Sequence, residues 1–584
     1  MRSREWFDIP GDPSTTALHI ERYTNFGISS EELRSGKPII GIAQTGSDLV
    51  PCNRIHMNLA HRVREGIREA GGIALEFPVH PIQETGKRPT AALDRNLQYL
   101  GLVEVLFGYP IDGVVLTIGC DKTTPALLMA ASTVDIPSIC LSSGPMMNGY
   151  WKGERAGSGT IVWKARKLLA TGEIDEEEFI KIVVDATTSP GFCNTMGTAT
   201  TMNSLAEGLG MSLPGCAAIP APLSERLEMS YRTGQRIVEM VKKDLTPSKI
   251  LTRKAFENSI VLNSAIGGST NAPIHINAIA RHVGVELEIE DWEKVGLEIP
   301  MLVNMQPGGK YLGEDFHRAG GVPAVMNALL KAGKLHDSAI TVNGKTVAEN
   351  YAETTTQDTD VIRTFQNPML ENAGFIVLKG NIFDSAVMKT SVISDSFRSQ
   401  YLDKPGSKNV FEVRAIVFEG PEDYRKRIND SQLNINVDCI LVIRGCGPVG
   451  YPGSAEVVNM QPPDKLIREG ILELPTLGDG RQSGTSGSPS ILNISPESAV
   501  GGGLALLKTG DMLLIDLNQG SLDVMLDKSE LQKRHDELKT EEIENQTPWQ
   551  EIYRNTVGQL SSGGIIELAA KYRKIRNTIP RHSH

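Results

Sequence analysis

At 584 residues the chain is long enough to bury sizeable cores and to divide into at least two folding units. Hydrophobic residues make up 40% and charged residues 22%, an ordinary soluble composition. The formal net charge of -11 disfavours nucleic acid or an anionic membrane as the principal partner, and seven cysteines without close pairing exclude a secreted disulfide framework.

The N-terminus, Met-Arg-Ser-Arg-Glu-Trp-Phe-Asp, has no apolar signal-like run, and no stretch reaches the roughly 18 apolar residues of a membrane span. A reducing, cytoplasmic location is expected. From residue 38 the pattern alternates. PIIGIAQ (38–44) reads as a strand, and 57–70 as a helix stopped by Gly71-Gly72. Residues 73–79 read as a second strand and 90–107 as a second helix. VVLTI (114–118) is the third and most apolar strand, followed by a helix over 124–133 and a strand over 137–142. Continuous apolar strands alternating with helices predict a parallel sheet covered on both faces.

In such a sheet, ligands bind outside the carboxyl ends of the strands. Cys52 lies in the loop after the first strand, His80 and Glu84 after the second, and Cys120, Asp121 and Lys122 directly after the third. A soft thiolate suits iron or zinc, and a hard carboxylate suits magnesium or manganese. A loop that offers both kinds predicts two metal centres side by side.

Residues 155–365 read as mostly helical, broken by Gly267-Gly268-Ser269-Thr270-Asn271 and by Gly308-Gly309. Cys193 falls in this stretch, in Phe-Cys-Asn-Thr-Met-Gly. Near 370 the character changes to short β-rich runs: FIVLKG, AVMKTSVI, FEVRAIVFEG, CILVIRG, MLLIDL and SLDVML. The predicted fold class is therefore an α/β domain over 1–369, a parallel sheet flanked by helices, followed by a β-rich, barrel-like domain over 370–584. The charged stretch 527–547 reads as a solvated helix or linker. The terminal Pro580-Arg581-His582-Ser583-His584 reads either as a tail closing over an active site or as a frayed end.

Cys140, Cys216 and Cys439 read as small core residues. Cys52, Cys120 and Cys193 sit among Gly, Pro, Asn and Asp without C-x-x-C spacing, which gives a zinc ribbon little support. Three thiolates from separate loops suit an iron–sulfur cluster with one iron position left open for catalysis. Glu456 is either a surface carboxylate or a group at a domain interface. The loop 475–490 places Ser483 among glycines, with no histidine close in sequence to suggest a hydrolase triad. GCGPVG (445–450) fits a dinucleotide-binding glycine pattern after a strand. Tyr451-Pro452-Gly453 follows where a helix must begin, so that reading is rejected.

Five long segments then carry a resemblance. CDKTTPA (120–126), CNTMGTA (193–199), GGSTNA (267–272), DGRQSG (479–484) and SPESAVGG (495–502) resemble the dihydroxyacid dehydratase / 6-phosphogluconate dehydratase family, in order and over nearly the whole chain. Within that family the chain is most similar to the sugar-acid branch. The resemblance implies that Cys52, Cys120 and Cys193 ligate a cluster, with Cys52 favouring [2Fe-2S]. It implies that Glu84, Asp121, Glu456 and Lys122 surround Mg²⁺, with Lys122 carbamylated in related enzymes, and that Ser483 is the catalytic base. The implied reaction is dehydration of a small-molecule sugar acid to its 2-keto-3-deoxy acid, in a homotetramer built as a dimer of dimers. Two departures from the amino-acid-biosynthesis branch, Gln482 for an aromatic and Leu-Gly-Asp-Gly for Thr-Asp-Gly, flank the implied base. The rival within the family is the dehydratase of branched-chain amino-acid synthesis, and the rival of another class is an iron–sulfur electron carrier or sensor.

Overall fold

The computed structural model describes residues 1–539 and 543–582. Four strands form one parallel sheet: β1 (Ile39–Gln44), β2 (Ile73–Pro78), β3 (Gly113–Ile118) and β4 (Ser138–Ser142), in the order β2–β1–β3–β4. Every residue of β3 and β4 is buried, as their unbroken apolar runs require when helices cover both faces. β2 lies at the edge, and its later residues reach solvent.

The crossover helices span His56–Glu69, Ala91–Gly108 and Thr123–Val134. The first ends where expected: Gly71 takes φ +88°, and the Gly72 N–H closes onto the Ile67 carbonyl at 2.8 Å. That helix lies against Ser224–Lys242 with backbone touching backbone. A methyl group on Gly66 would strike the Tyr231 carbonyl, and one on Gly234 would strike the Val63 carbonyl.

A small ribbon, β5 (Tyr150–Trp151) with β6 (Glu154–Arg155), precedes the helical region. The Gly-Gly-Ser-Thr-Asn break separates helix Arg253–Ala265 from helix Ala272–Val283, as the glycine run predicts. Among the described residues no helix is long and apolar enough to cross a membrane.

The β-rich part is a closed barrel of β7 (Phe375–Gly380), β8 (Phe383–Lys389), β9 (Val410–Glu419), β10 (Cys439–Arg444), β11 (Thr476–Gly478), β12 (Ile491–Ser495), β13 (Met512–Asp516) and β14 (Ser521–Val524). The order around it is β10–β11–β12–β8–β7–β14–β13–β9, with parallel and antiparallel pairs mixed. Alternate residues such as Leu378, Val413, Ile440, Val442 and Leu477 fill one core inside it.

After the barrel comes the helix Lys528–Glu537, tied back through Arg534 to Asp511. The rest of the charged stretch includes residues 540–542, which lie outside the described residues, as do 583 and 584 of the terminal tail. The chain then leaves the barrel. Tyr553, Ile565, Ile566 and Ala569 join the core of the α/β part, and Arg95 donates to the carbonyls of Gly563 (2.7 Å) and Gly564 (2.6 Å). This segment, which the expected division at 369/370 groups with the β-rich part, touches both: it also bonds Glu497 through Gln559 and the Val449 carbonyl through Arg554.

Candidate active site where the sheet edge meets the barrel

The loops leaving the carboxyl ends of β1, β2 and β3 converge. Cys52 sits in the turn Pro51–Asn53 after β1, and Cys120 lies two residues past β3. Asn53, fully buried, joins the two: its Oδ1 accepts the Cys120 N–H at 2.7 Å, while its Nδ2 donates to Thr45 Oγ1 at 3.0 Å. His56 adds a second tie, its Nε2 donating to the Ile118 carbonyl at 2.7 Å. Burial lowers the His56 pKa to about 4, so the ring is neutral there. Gly119 must be glycine in this packing, because an added Cβ would collide with Ser143 Oγ and Asn53 Oδ1.

Interaction between the neighbouring Cys52 and Cys120 thiols lowers the pKa of Cys52 and, together with burial, raises that of Cys120 well above the usual thiol value. Cys193, in the loop before helix Thr198–Gly208, feels the charges of Cys52 and Asp121, and burial chiefly pushes it up to about 12. Two donors face these sulfurs: Gln83 Nε2 lies 3.2 Å from Cys52 Sγ, and Ser158 Oγ lies 3.4 Å from Cys193 Sγ. All three cysteines are free. A group of free sulfurs, Cys120 buried and the other two half-buried, faced by hydrogen-bond donors fits thiolate ligation of a soft metal centre.

Beside them lies an acidic group. Oxygens of Glu84, Asp121 and Glu456 fall within 4.8 Å of one another. Two cations face them. Lys122 Nζ, wholly buried, is 3.0 Å from Glu84, 3.7 Å from Asp121 and 3.9 Å from Glu456. Arg481 reaches from the barrel to Glu456 at 2.8 Å and to Glu84 at 3.3 Å. Burial and then repulsion from Glu84 push Glu456 up to about 7, and burial also raises Asp121. Burial opposes the charge on Glu84 too, but Lys122 and Arg481 outweigh it and hold its pKa low. Three clustered, half-buried carboxylates, two of them with pKa raised by burial and crowding, fit a hard cation bound by oxygen.

Glu456 and Arg481 stand side by side because their extended backbones pair: the Val457 N–H bonds the Arg481 carbonyl at 2.9 Å, and the Arg481 N–H bonds Ala455 at 2.8 Å. Asn271, from the Gly-Gly-Ser-Thr-Asn break, bonds Glu456 Oε1 at 3.0 Å and the Gln482 carbonyl at 3.1 Å. The next residue is Ser483. Its Oγ lies 2.9 Å from Thr485 Oγ1, which accepts from Trp163 Nε1 at 3.1 Å. Gly484 packs so tightly on the N-terminus of helix Thr198–Gly208 that a Cβ would lie 2.5 Å from the Thr198 nitrogen. A cavity of about 320 Å³ lined by Arg155, Trp163, Lys164, Gln306 and Thr485 opens beside this loop.

Eight of the nine residues singled out in the sequence thus gather around one seam. His80 does not belong to it, since its Nε2 pairs with Asp94 at 3.2 Å. Sequence reading missed Arg481, Asn271 and Gln83 as site residues. Arg481 and Asn271 lie in quoted segments (DGRQSG, GGSTNA) and Gln83 directly precedes Glu84, but the meaning of each depends on contacts between separate segments. The rejected dinucleotide pattern also finds its reason. The Gly445 and Cys446 amides bond Asp479, and the Val449 and Gly450 amides bond Glu497, so two buried carboxylates occupy the backbone donors that a pyrophosphate would need.

Comparison with known proteins agrees with this layout. A model of the dihydroxy-acid/6-phosphogluconate dehydratase N-terminal region matches residues 37–350, and one of the corresponding C-terminal region matches 360–564. The chain is 60% identical over 584 residues to a D-xylonate dehydratase of Caulobacter vibrioides, covering 100% of this chain and 98% of that protein. It is 45% identical to an L-arabinonate dehydratase of Rhizobium leguminosarum bv. trifolii (91% and 90% covered). With a dihydroxy-acid dehydratase of Caldanaerobacter subterraneus subsp. tengcongensis the identity is 37% (92% and 95% covered). Two matched halves and full-length relatives make the assignment plain: the chain belongs to the dihydroxy-acid/6-phosphogluconate dehydratase family, and it is a hydro-lyase.

Proposed function

We propose that this enzyme removes water from an aldonic acid such as D-xylonate, yielding the 2-keto-3-deoxy acid. The observation that carries the reading is the convergence of three free cysteines, three clustered carboxylates and the Ser483 loop on one seam, in a chain 60% identical along its whole length to a D-xylonate dehydratase. An L-arabinonate dehydratase and a 6-deoxy-6-sulfo-D-gluconate dehydratase among the relatives point to the same substrate class.

In this reading Cys52, Cys120 and Cys193 hold a [2Fe-2S] cluster, and Glu84, Asp121 and Glu456 hold Mg²⁺. When bound, these groups supply Lewis acidity at the substrate's 3-hydroxyl and at its carboxylate and 2-hydroxyl. Ser483 Oγ takes the proton from C2. Thr485, itself anchored by Trp163, fixes the rotamer from which Ser483 does so. Loss of the C2 proton and the 3-hydroxyl leaves an enol, which tautomerises to the keto acid without net redox change. Arg481 pairs with both Glu84 and Glu456, and with Lys122 it keeps Glu84 ionised. Carbamylation of Lys122 would turn a buried cation into an oxygen donor beside Glu84. Arg155, Lys164 and Gln306 line a cavity of about 320 Å³ that suits a polyhydroxylated tail better than a branched hydrocarbon one. We place the enzyme in the cytoplasm as a homo-oligomer.

The test is kcat/KM of the anaerobically purified protein on D-xylonate, L-arabinonate, D-gluconate and 2,3-dihydroxyisovalerate. We expect a sugar acid to be preferred by at least about tenfold, the scale on which a few polar contacts discriminate substrates. Preference for dihydroxyisovalerate would move the protein to branched-chain synthesis.

A further inference from the structure

Gln83 makes a contact that no ligand role accounts for. Its Nε2 donates to the Cys52 sulfur at 3.2 Å, while its Oε1 is buried without a partner. An amide nitrogen facing sulfur is the orientation a thiolate demands, because a thiolate accepts hydrogen bonds and cannot donate them. The next residue, Glu84, places its carboxylate in the acidic group. Two consecutive residues of one loop therefore touch a sulfur and supply one of the three carboxylates. Cys193 has its own donor in Ser158, but that loop contributes none of the acidic group.

We propose that Gln83 is a positioning residue that couples the two metal centres, holding the Cys52 sulfur by its side chain and the carboxylate site through the adjoining Glu84. The inference rests on the cysteine and carboxylate roles proposed above. Hydrogen bonds to cluster sulfurs offset the charge gained on reduction, and they are one of the factors that set cluster potentials. A cation held by Glu84 adds positive field beside the same sulfurs and fixes the Gln83–Glu84 backbone. The cluster's potential then depends on whether the carboxylate site is filled. By linkage, the affinity of that site for the cation depends equally on the cluster's oxidation state.

The experiment is a redox titration of the loaded holoenzyme, followed by visible absorption and EPR, with Mg²⁺ present and after chelation. In the wild type the potential is expected to become more negative when Mg²⁺ is removed. Gln83→Leu should lower the potential with Mg²⁺ present and shrink the Mg²⁺-linked shift. Ser158→Ala should lower the potential but leave that shift intact, since its loop carries no carboxylate. Wild-type potential together with an undiminished shift in Gln83→Leu overturns the proposal. If Gln83→Leu loads poorly, Gln83→Glu keeps the length while removing the donor, and wild-type behaviour from it is equally fatal. A wild-type protein that binds no iron through Cys52, Cys120 and Cys193 would overturn both this proposal and the reading beneath it. An unchanged Gln83 variant in an iron-loaded enzyme removes only the coupling.

Discussion

Arg481 shows most clearly why single residues here act through their partners. It is buried, it comes from the barrel, and it bonds Glu84, which lies 397 positions away in sequence, as well as Glu456 and Thr90. Removing one member of a buried charged group leaves its partners uncompensated, at a cost of about 3–5 kcal/mol. Arg481→Met is therefore expected to lower the urea unfolding free energy of the metal-free protein by about that amount. A loss below about 0.5 kcal/mol, the usual range for surface changes, would show that the arginine does not neutralise the acids. At this scale much of the site was legible in the sequence. Cys52, Cys120 and Cys193 stood out because Gly, Pro and Asn surround them instead of aliphatic residues. Asp121 and Lys122 stood out because they follow Cys120 directly. Arg481, Asn271 and Gln83 did not, because an arginine, an asparagine or a glutamine in a loop is ordinarily a solvated residue, and only the fold makes these three bridges.

At the scale of elements, the pairing of helices His56–Glu69 and Ser224–Lys242 governs where the Cys52 loop sits, since the first of them starts at His56, four residues past that cysteine. Their contact is the most extensive between any two helices and closes at Gly66 and Gly234, where each backbone touches the other. Overpacking a fitted contact typically costs about 1–3 kcal/mol. Gly234→Ala is expected to destabilise the protein by that amount in thermal or denaturant unfolding, with the helices forced apart. Unchanged stability would mean that the contact has slack.

The parallel strands β1, β3 and β4 were readable as unbroken apolar runs, and the first helix stop as a glycine pair. Strands β11 and β12 were not read. β11 has only three residues within a glycine-rich loop, and β12 only five, Ile-Leu-Asn-Ile-Ser, too few for periodicity to separate strand from loop. The barrel itself was expected from the run of short strands, but its strand order was not readable, because that order depends on pairing between distant segments.

In the whole molecule the α/β part and the barrel cannot be considered apart. Ties that cross the seam include Arg481 to Glu84, Asn271 to Glu456, and Lys389 Nζ to the Gly267 carbonyl at 2.7 Å. The segment after residue 547 reinforces them by leaving the barrel to pack on the α/β core. The three cysteines and two of the carboxylates thus come from one part, while the third carboxylate and the serine come from the other. The proposed chemistry requires the two to be held together. This division of labour yields the most direct test. Wild-type and Ser483→Ala proteins would be purified without oxygen, analysed for iron and sulfide, and assayed for 2-keto acid formed from D-xylonate with Mg²⁺. The account predicts equal iron in both and a fall in kcat of at least about 10²-fold in Ser483→Ala, the usual scale for losing a positioned base. Equal turnover by the two proteins, or no keto acid from an iron-loaded wild type, would contradict it.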